Sequence, residues 1–207
     1  MILGLSGKKQ SGKDTLAQAL EREKVAKRYA FADSLKGLCG TIFDIPEYKL
    51  WGSEEDKNGP SPLIWRDIGL SFLKNYSPQN KNLDNHVSIR ELLQIFGSDV
   101  CREFYKDFWV NWTLRKITSD RSHAQNHPGH EVISDVRFPN EVEKIWENGG
   151  IVIRLLRNSD SNDSHKSETG LDDWALDKFD LVVDNRELTI EQSIDRFTSL
   201  LLEKGIF

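Results

Sequence analysis

The sequence has little cysteine and no long apolar run. Its two cysteines, Cys39 and Cys101, are far apart and form no C-x-x-C pair, so we expect reduced, buried thiols. No apolar stretch approaches the roughly 18 residues of a membrane-spanning helix, and the first residues lack a signal-peptide pattern. These absences predict a cytoplasmic protein without a membrane partner.

An excess of positive charge is also missing. Lys and Arg number 28 against 33 Asp and Glu, and the resulting net charge of -5 argues against nucleic acid or a membrane surface as a partner. Any anionic ligand must therefore be held by a local basic cluster. With 207 residues, of which 38% are apolar, the chain can form one globular domain with room for a smaller inserted subdomain.

Short apolar segments alternate with segments of helical periodicity. Because alternating strands and helices build parallel sheets, this pattern predicts an α/β fold with a mostly parallel sheet and helices on both faces. The opening run, ILGLS, is typical of a buried central strand. The predicted strands are residues 2–6, 28–31, 132–134, 151–156 and 181–183.

Capping boxes mark the starts of two helices. Ser88 with Glu91, and Thr189 with Gln192, have the spacing at which side chains and backbone N–H groups cap each other. Gly97 is expected to end the first of these helices, because apolar residues at helical spacing stop there.

Other apolar positions and turn-rich segments complete the expected layout. Ile190, Trp112 and Trp146 are expected to face the core. Residues 52–62 are charged and rich in turn formers, which predicts a mobile excursion. Residues 158–169 form a polar run that is expected to be flexible.

Residues 7–15, GKKQSGKDT, almost spell the phosphate-binding loop G-x-x-x-x-G-K-[ST]. Gly7 and Gly12 would let the backbone wrap a phosphate, and Lys13 would reach the β- and γ-phosphates. A predicted strand precedes the loop and an amphipathic helix follows it, which favours phosphate binding over a Gly-rich turn with solvated lysines. The predicted nucleotide-binding residues of the loop are Gly7, Lys8, Ser11, Gly12, Lys13, Asp14 and Thr15.

Asp14 stands where the motif usually has a magnesium-binding hydroxyl. A carboxylate at a helix N-terminus is stabilised by the helix dipole, so one interpretation is a structural cap. Beside a triphosphate the same carboxylate would be repelled unless a cation lay between them. Our preferred hypothesis is that Asp14, with Thr15, orients a hydrated Mg²⁺ ion.

Two classes of phosphate-loop protein lack their signatures here. A signalling GTPase needs N-K-x-D to bind guanine, and residues 80–84, NKNLD, miss that spacing by one. An ATPase usually has two acidic residues at a strand end, the second of which activates water, whereas this strand ends in SDVR at residues 134–137. The phosphoryl acceptor is therefore expected to be a bound molecule instead of water.

A phosphate monoester would suit this chain as the acceptor, because it is already anionic and needs no strong general base. Catalysis then depends on positioning and on charge neutralisation by Lys, Arg and Mg²⁺. Arg137 is the strongest candidate, since it follows a strand end where open parallel sheets bind ligands. Each candidate arginine could instead form a surface ion pair. The candidates are Arg90, Arg102, Arg137, Arg154 and Arg157.

Five blocks of the sequence resemble the bacteriophage deoxynucleoside monophosphate kinases. The blocks are GKKQSGKDT, FADSLK, RELLQIFGSDVCR, ISDVRFPNE and FDLVVDN, and they leave residues 45–87 uncovered. An Asp after the loop lysine is usual in that family. The resemblance implies a three-layer phosphate-loop kinase fold with a five-stranded sheet. It also implies transfer of the ATP γ-phosphate to a deoxynucleoside monophosphate in DNA precursor synthesis, in the host cytoplasm for a phage-encoded chain.

The resemblance also implies roles for particular residues and regions. Lys13, Asp135 and Arg137 would be catalytic, Arg154 and Arg157 would contact ATP from a lid, and Asn185 would lie near the adenine. Residues 33–121 would form a helical acceptor-binding region, and residues 154–178 a lid-like region. The residues expected to line the acceptor site are Asp33, Lys36, Arg90, Gln94 and Arg102.

Two other functions stay open at this point. A kinase of another phosphorylated small molecule, such as dephospho-coenzyme A, would share the architecture. A nucleotide-binding module without catalysis would share the loop. The sequence does not reveal which bases are accepted, and it leaves open whether the chain forms a homodimer.

Overall fold

A five-stranded sheet with helices on both faces organises the chain. The computed structural model describes residues 1–69, 82–123, 127–158 and 169–207. The strands are β1 (Ile2–Ser6), β2 (Ala26–Tyr29), β3 (Pro60–Ile64), β4 (His86–Ser88), β5 (His130–Val136), β6 (Ile151–Leu156) and β7 (Leu181–Asp184). The helices are α1 (Lys13–Arg22), α2 (Phe31–Phe43), α3 (Glu47–Trp51), α4 (Glu54–Asn58), α5 (Ile89–Gln94), α6 (Phe108–His123), α7 (Pro139–Glu147) and α8 (Ile190–Glu203). A π-helix, Ile95–Arg102, directly follows α5.

The large sheet has the strand order β2-β5-β1-β6-β7. Every neighbouring pair in it is parallel, and β1 is the central strand. All five residues of β1 are buried, as a strand covered on both faces must be. The predicted parallel sheet and its central first strand are confirmed.

Successive residues of β1 point to opposite faces of the sheet, and each face carries helices. Leu3 belongs to a buried cluster with Leu16 of α1 and Leu201 of α8. A Cβ at Gly4 would point to the other face, where it would lie 2.7 Å from Cδ1 of Ile145 in α7. The predicted three-layer arrangement is therefore confirmed.

The chain divides into two compact units. The first consists of Met1–Phe31 and Val110–Phe207 and holds the large sheet; the second is Ala32–Trp109. The second unit contains the antiparallel pair of β3 and β4 and its own apolar core, in which Trp65, Ile89 and Leu92 are buried. This division leaves the predicted acceptor-binding region and lid-like region as predictions.

The second predicted strand is shifted along the chain. It covers residues 26–29 instead of 28–31, and Phe31 begins α2. The Phe31 N–H donates to Oδ1 of Asp135 at 2.7 Å, so this carboxylate binds the first turn of the helix. The strand over residues 132–134 is longer than predicted, because β5 pairs with both β1 and β2.

The prediction that Gly97 ends a helix is wrong. The chain continues from α5 into the π-helix, and Gly97 lies inside it. A Cβ at Gly97 would lie 2.6 Å from Cδ2 of Leu35, so the glycine allows α2 to pack closely. Its carbonyl oxygen accepts a hydrogen bond from Nε1 of Trp109 at 2.9 Å.

The charged segment at residues 52–62 contains regular structure. It includes α4 and most of β3, where an excursion between elements was predicted. Ser53 and Asp56 form a capping box at the start of α4, which is the local signal for this helix. Both capping boxes predicted from the sequence, at Ser88 and at Thr189, are confirmed.

Three apolar residues expected in the core are exposed. Trp112 is 56% exposed, Ile190 is 53% exposed and Trp146 is 37% exposed. Trp146 lies at the surface because its Nε1 donates to Oδ2 of Asp180 at 2.7 Å. The predicted flexible run at 158–169 lies mostly outside the described residues.

Cys39 and Cys101 are both buried free thiols. Burial raises the pKa of the Cys39 thiol to about 12. Among the described helices, none combines the length and the apolar character needed to cross a membrane.

Candidate nucleotide-binding site

The loop between β1 and α1 leaves the start of a helix open to an anion. Gly12 is the N-cap residue of α1 and has a φ of 93°, a conformation that favours glycine, and its missing side chain caps no N–H group. A Cβ at Gly7 would lie 2.8 Å from the Leu155 carbonyl oxygen. The uncapped N–H groups and the helix dipole favour negative charge at this point.

The Lys13 side chain folds back onto the loop that would bind a phosphate. Its Nζ donates to the carbonyl oxygens of Gly7 at 2.7 Å and Lys8 at 2.6 Å, and to Oγ of Ser11 at 3.3 Å. Burial lowers the pKa of Lys13 to about 7; Arg137 and Arg154 also lower it, against the opposing effect of two carboxylates. An anionic ligand would raise the pKa of Lys13 again, because its negative charge would offset the positive charges of Lys13, Arg137 and Arg154.

An open cavity of about 440 Å³ borders the loop. This volume lies within the usual range for a small-molecule site. Arg157 lies on its edge, and Nη1 of that residue would be 3.8 Å from a Cβ at Gly12. The residues that line the cavity are Gln10, Ser11, Gly12, Lys13, Asp14, Thr15, Arg157, Asn158 and Ile190.

Arg154 presents a second, largely buried positive charge at this end of the sheet. It pairs in register with Ser6, the last residue of β1, and its Nη1 donates to Oγ of Ser6 at 3.0 Å. Its guanidinium carbon lies 5.4 Å from the centre of the Phe179 ring. Burial lowers the pKa of Arg154 against the opposing effect of Asp172, and a guanidinium stays charged under such a shift.

Asp14 is held by two polar neighbours. Its Oδ1 accepts from Oγ of Ser134 at 2.8 Å and from Nη2 of Arg28 at 3.3 Å. Burial would raise the pKa of Asp14, but the Ser134 hydrogen bond and the Arg28 guanidinium outweigh it and lower the pKa. The carboxylate is therefore ionised beside the loop, at the end of β5.

Asp135 and Arg137 also lie at the end of β5, on the same edge as the loop. The Asp135 carboxylate accepts the Phe31 N–H, and both residues are close enough to Lys13 to change its pKa. The backbone N–H of Arg137 donates to Oε2 of Glu141 at 2.7 Å, which orients the chain as it enters α7. Three of the predicted nucleotide-site residues, Lys13, Asp135 and Arg137, are thus brought together.

Asn185, the residue predicted to lie near the adenine, is a buried polar residue. It follows β7, its backbone N–H donates to the Leu156 carbonyl oxygen at 2.8 Å, and its side chain is fully buried. Asn185 is absent from the described lining of the cavity. Neither polar atom of its side chain has a hydrogen-bond partner among the described residues. Its contact with adenine stays a prediction.

Two predicted acceptor residues of the second unit share a neighbour that the sequence did not indicate. Oδ1 of Asp33 accepts from Nε1 of Trp51 at 3.3 Å, and Nζ of Lys36 lies 5.4 Å from the centre of the same indole. Trp51 is 43% exposed. Its exposed indole therefore lies beside two of the residues expected to bind the acceptor.

The other predicted acceptor residues lie on α5 and on the π-helix after it. Arg90 donates to Oδ1 of Asn58 at 3.0 Å and to Oε2 of Glu54 at 2.8 Å. Gln94 ends α5 and Arg102 ends the π-helix, and both side chains are half-buried. A π-helix is rare and frequently occurs at functional sites.

Sequence reasoning missed Arg28 and Ser134, which orient Asp14, and Asp172, which contacts Lys8 and Arg154. Ser134 was within reach of the sequence, because it lies in the ISDVRFPNE block beside Asp135. The pairing of Arg28 with Asp14 depends on the strand order, which places β2 next to β5.

Comparisons with known proteins find relatives of this chain. The deoxynucleotide monophosphate kinase family matches residues 66–196. A protein of Acanthamoeba polyphaga mimivirus, whose name assigns it to the same kinases, is 29% identical over 96% of this chain and 95% of its own length. The deoxynucleoside-5'-monophosphate kinase of Escherichia phage T5 is 25% identical over 83% of this chain and 85% of its own length.

A solved structure shares the fold. A crystal structure of a protein from Thermus thermophilus aligns with a TM-score of 0.50 and 15% identity, over 99% of this chain and 97% of that one. At this identity the likeness concerns the fold alone. The family match, in contrast, spans more than half of the sequence and includes the strand end that carries Asp135 and Arg137. The chain belongs to the deoxynucleotide monophosphate kinase family.

Proposed function

We propose that this chain transfers the γ-phosphoryl group of ATP to a deoxynucleoside monophosphate, which yields a deoxynucleoside diphosphate and ADP. The observation that carries the proposal is the buried Lys13 of the phosphate loop. It lies at the uncapped start of α1, close to Arg137 and Arg154. Such a cluster supports the binding of a polyphosphate and the neutralisation of charge during phosphoryl transfer. Membership of the family supports the acceptor.

The acceptor in this reaction supplies its own nucleophile. An oxygen of the acceptor phosphate attacks the γ-phosphorus, and the bond from the γ-phosphorus to the bridging oxygen of ADP breaks. Because the acceptor oxygen is already anionic, no residue needs to remove a proton. The protein therefore holds the two phosphates in line and compensates their charge.

Lys13, Arg137 and Asp135 have different roles in this proposal. Lys13 would leave the loop carbonyls and contact the β- and γ-phosphates, while Arg137 would contact the phosphoryl group in transit. Asp135 accepts the Phe31 N–H and would supply negative charge beside Lys13, whose pKa it raises. The loop, Arg154 and Arg157 would bind the remaining phosphates, and the two arginines belong to the proposed lid-like region of residues 154–178.

Magnesium is proposed as the ion that accompanies ATP. Mg²⁺ prefers hard oxygen ligands, keeps several waters, and is commonly held by one or two protein groups together with substrate phosphates. An ionised carboxylate at Asp14 and a hydroxyl at Thr15, both lining the cavity, fit this requirement. When bound, the ion would neutralise charge on the phosphates, and Asp14 would orient its water shell.

The acceptor is proposed to bind in the helical region at residues 33–121. Lys36, Arg90 and Arg102 supply positive charge for a phosphate, and Asp33 and Gln94 supply groups that hydrogen-bond. These five residues all belong to the second compact unit. The proposed setting is the cytoplasm, where both nucleotides occur, and a homodimer stays an open prediction.

Asp14 offers a test of the magnesium proposal. We expect Asp14→Asn to lower kcat and to raise the Mg²⁺ concentration needed for half-maximal rate, because a neutral amide attracts a hydrated dication more weakly. The Tm without nucleotide should fall only slightly, since the Asp14 side chain is 66% exposed and the asparagine oxygen can still accept from Oγ of Ser134. The measurement is a Mg²⁺ titration of the initial rate.

Asp14→Ser is the matched variant in that titration. Serine restores the hydroxyl that is usual in this loop and should recover more activity than asparagine does. Equal Mg²⁺ requirements for the parent and both variants would leave Asp14 with a purely structural role at the helix start.

The lowered pKa of Lys13 predicts proton uptake when ATP binds. Near pH 8 the free protein should hold Lys13 mostly neutral, because its pKa is about 7. Bound phosphates would raise that pKa towards its ordinary value, so binding should take up close to one proton. Well below pH 7, Lys13 is charged in both states and this uptake should vanish.

Calorimetry in buffers with different ionisation enthalpies measures this uptake directly. Lys13→Met is the control and should bind ATP with the uptake removed. If the variant kept the full uptake near pH 8, the proton would belong to another group.

The proposed activity is tested most simply by ADP formation with and without an acceptor. With MgATP alone, the rate should be near background, because the strand end SDVR at residues 134–137 lacks the second acidic residue that usually activates water in ATPases. Addition of at least one of dTMP, dGMP, dCMP and dAMP should produce ADP and the matching diphosphate in equal amounts. Nucleotide binding without turnover on any of these acceptors would favour a non-catalytic module.

A further inference from the structure

Asp172 contacts two cations of the nucleotide site. Its Oδ2 is bonded to Nζ of Lys8 in the phosphate loop, and its Oδ1 lies 3.8 Å from Nη2 of Arg154. Arg154 in turn donates to Ser6 at the end of β1. Each oxygen of the Asp172 carboxylate therefore lies close to one cation, as two oxygens of a bound phosphate group would.

The position of Asp172 is fixed by the turn that carries it. Its backbone N–H donates to the Thr169 carbonyl oxygen at 3.0 Å, and the neighbouring Leu171 is buried. Trp174 stacks on Trp146 of α7, with ring centres 6.1 Å apart and an angle of 29° between the rings. Leu171 and Trp174 hold the turn on both sides of Asp172, so we expect the carboxylate to stay near Lys8 and Arg154 when an anion arrives.

We propose that Asp172 is a built-in competitor of the donor phosphates, which lowers the affinity of the site for ATP and for other polyphosphates. This inference rests on the proposed donor site at the loop. A phosphate that reaches Lys8 or Arg154 must replace the carboxylate as their partner. It then also meets the negative charge of a group that stays nearby.

The competition has a consequence for catalysis. Binding energy that is expressed equally in the bound donor and in the transition state tightens binding without increasing kcat. A carboxylate that opposes the donor phosphates removes part of this uniform binding. It also opposes retention of ADP, so product can leave the loop more readily.

Asp172→Asn should bind MgATP more tightly than the parent, because it removes the negative charge that competes with the donor phosphates. The increase should be about three- to tenfold, since partly exposed ion pairs such as those of Asp172 are of modest strength. Calorimetry without an acceptor measures this affinity, since no turnover occurs. Pyrophosphate, as a second probe, should show the same direction of change. Higher salt should reduce the difference, because these charges are partly exposed.

Asp173→Asn is the matched control. Asp173 is the next residue, it is exposed, and its replacement makes the same change in net charge. Its ATP affinity should equal that of the parent. Thermal melts of both variants without nucleotide show whether either substitution disturbs the fold.

The outcomes separate this inference from the proposed function. Equal affinities for Asp172→Asn and Asp173→Asn would make the Asp172 contacts incidental and overturn the inference. Weaker binding by Asp172→Asn would show that the carboxylate supports the nucleotide, which also overturns it. A parent protein that binds neither MgATP nor pyrophosphate would contradict the proposed function itself.

Discussion

Lys13→Ala is expected to reduce kcat by about 10²- to 10³-fold, the usual effect of removing one group that stabilises transition-state charge. Lys13 would contact oxygens whose charge changes during transfer, so kcat should fall more than the affinity for ATP. The fold should persist, because burial lowers the pKa of Lys13 and a buried ammonium does not favour the folded state. Steady-state kinetics and a thermal melt of the variant measure both effects.

Lys9→Ala serves as the control, because it removes the same charge from the same loop. Its kcat should stay within a few-fold of the parent. A Lys13→Ala protein that turned over within a few-fold of the parent would remove the loop from the mechanism.

Arg137→Lys is expected to lower kcat by about 10²-fold although the charge is kept. A guanidinium can bridge two phosphate oxygens with its planar fork, whereas an ammonium acts as a point charge. The backbone N–H bond from residue 137 to Glu141 does not involve the side chain, so the entry into α7 should be unchanged. The loss should therefore appear in kcat while the Tm stays near that of the parent.

Arg186→Lys makes the same exchange in an exposed pair with Asp184 and should leave kcat unaltered. Full activity of Arg137→Lys would place Arg137 among the structural ion-pair residues and leave the phosphoryl group without its proposed partner.

The sheet and its phosphate loop could be predicted because local signals and long-range packing agree there. The run at residues 2–6 is apolar throughout, and only a central parallel strand buries every residue of such a run. Gly12 supplies the positive φ that the turn into α1 requires. At Ser88 and Thr189, the two halves of each capping box are three residues apart, so the local sequence alone indicates where each helix begins.

The failures occur where distant residues decide the local structure. Glycine commonly ends a helix, but Gly97 lies inside the π-helix, where the close packing of Leu35 leaves no room for a side chain. Phe31 has the apolar character of a strand residue, but the Asp135 carboxylate binds its N–H and starts α2 instead. Periodicity cannot reveal either contact, because each joins residues far apart in sequence.

The residues of the candidate site also divide into those that local motifs predict and those that depend on long-range contacts. Its glycines, Lys13 and Arg137 lie in short motifs and were predicted from the sequence. Two neighbours of the loop, Arg28 and Asp172, are recognised only when the strand order and a turn far along the chain bring them near Asp14 and Lys8.

The most direct test of the account is the initial rate with MgATP across a panel of phosphate acceptors. The panel contains dTMP, dGMP, dCMP and dAMP, the matching ribonucleotides, and dephospho-coenzyme A, with Lys13→Ala as the blank. The account predicts ADP release that depends on at least one deoxynucleoside monophosphate and produces its diphosphate in equal amount. It also predicts a much higher kcat/KM for that substrate than for dephospho-coenzyme A. Transfer to dephospho-coenzyme A alone, or ADP release that no deoxynucleoside monophosphate increases, would contradict it.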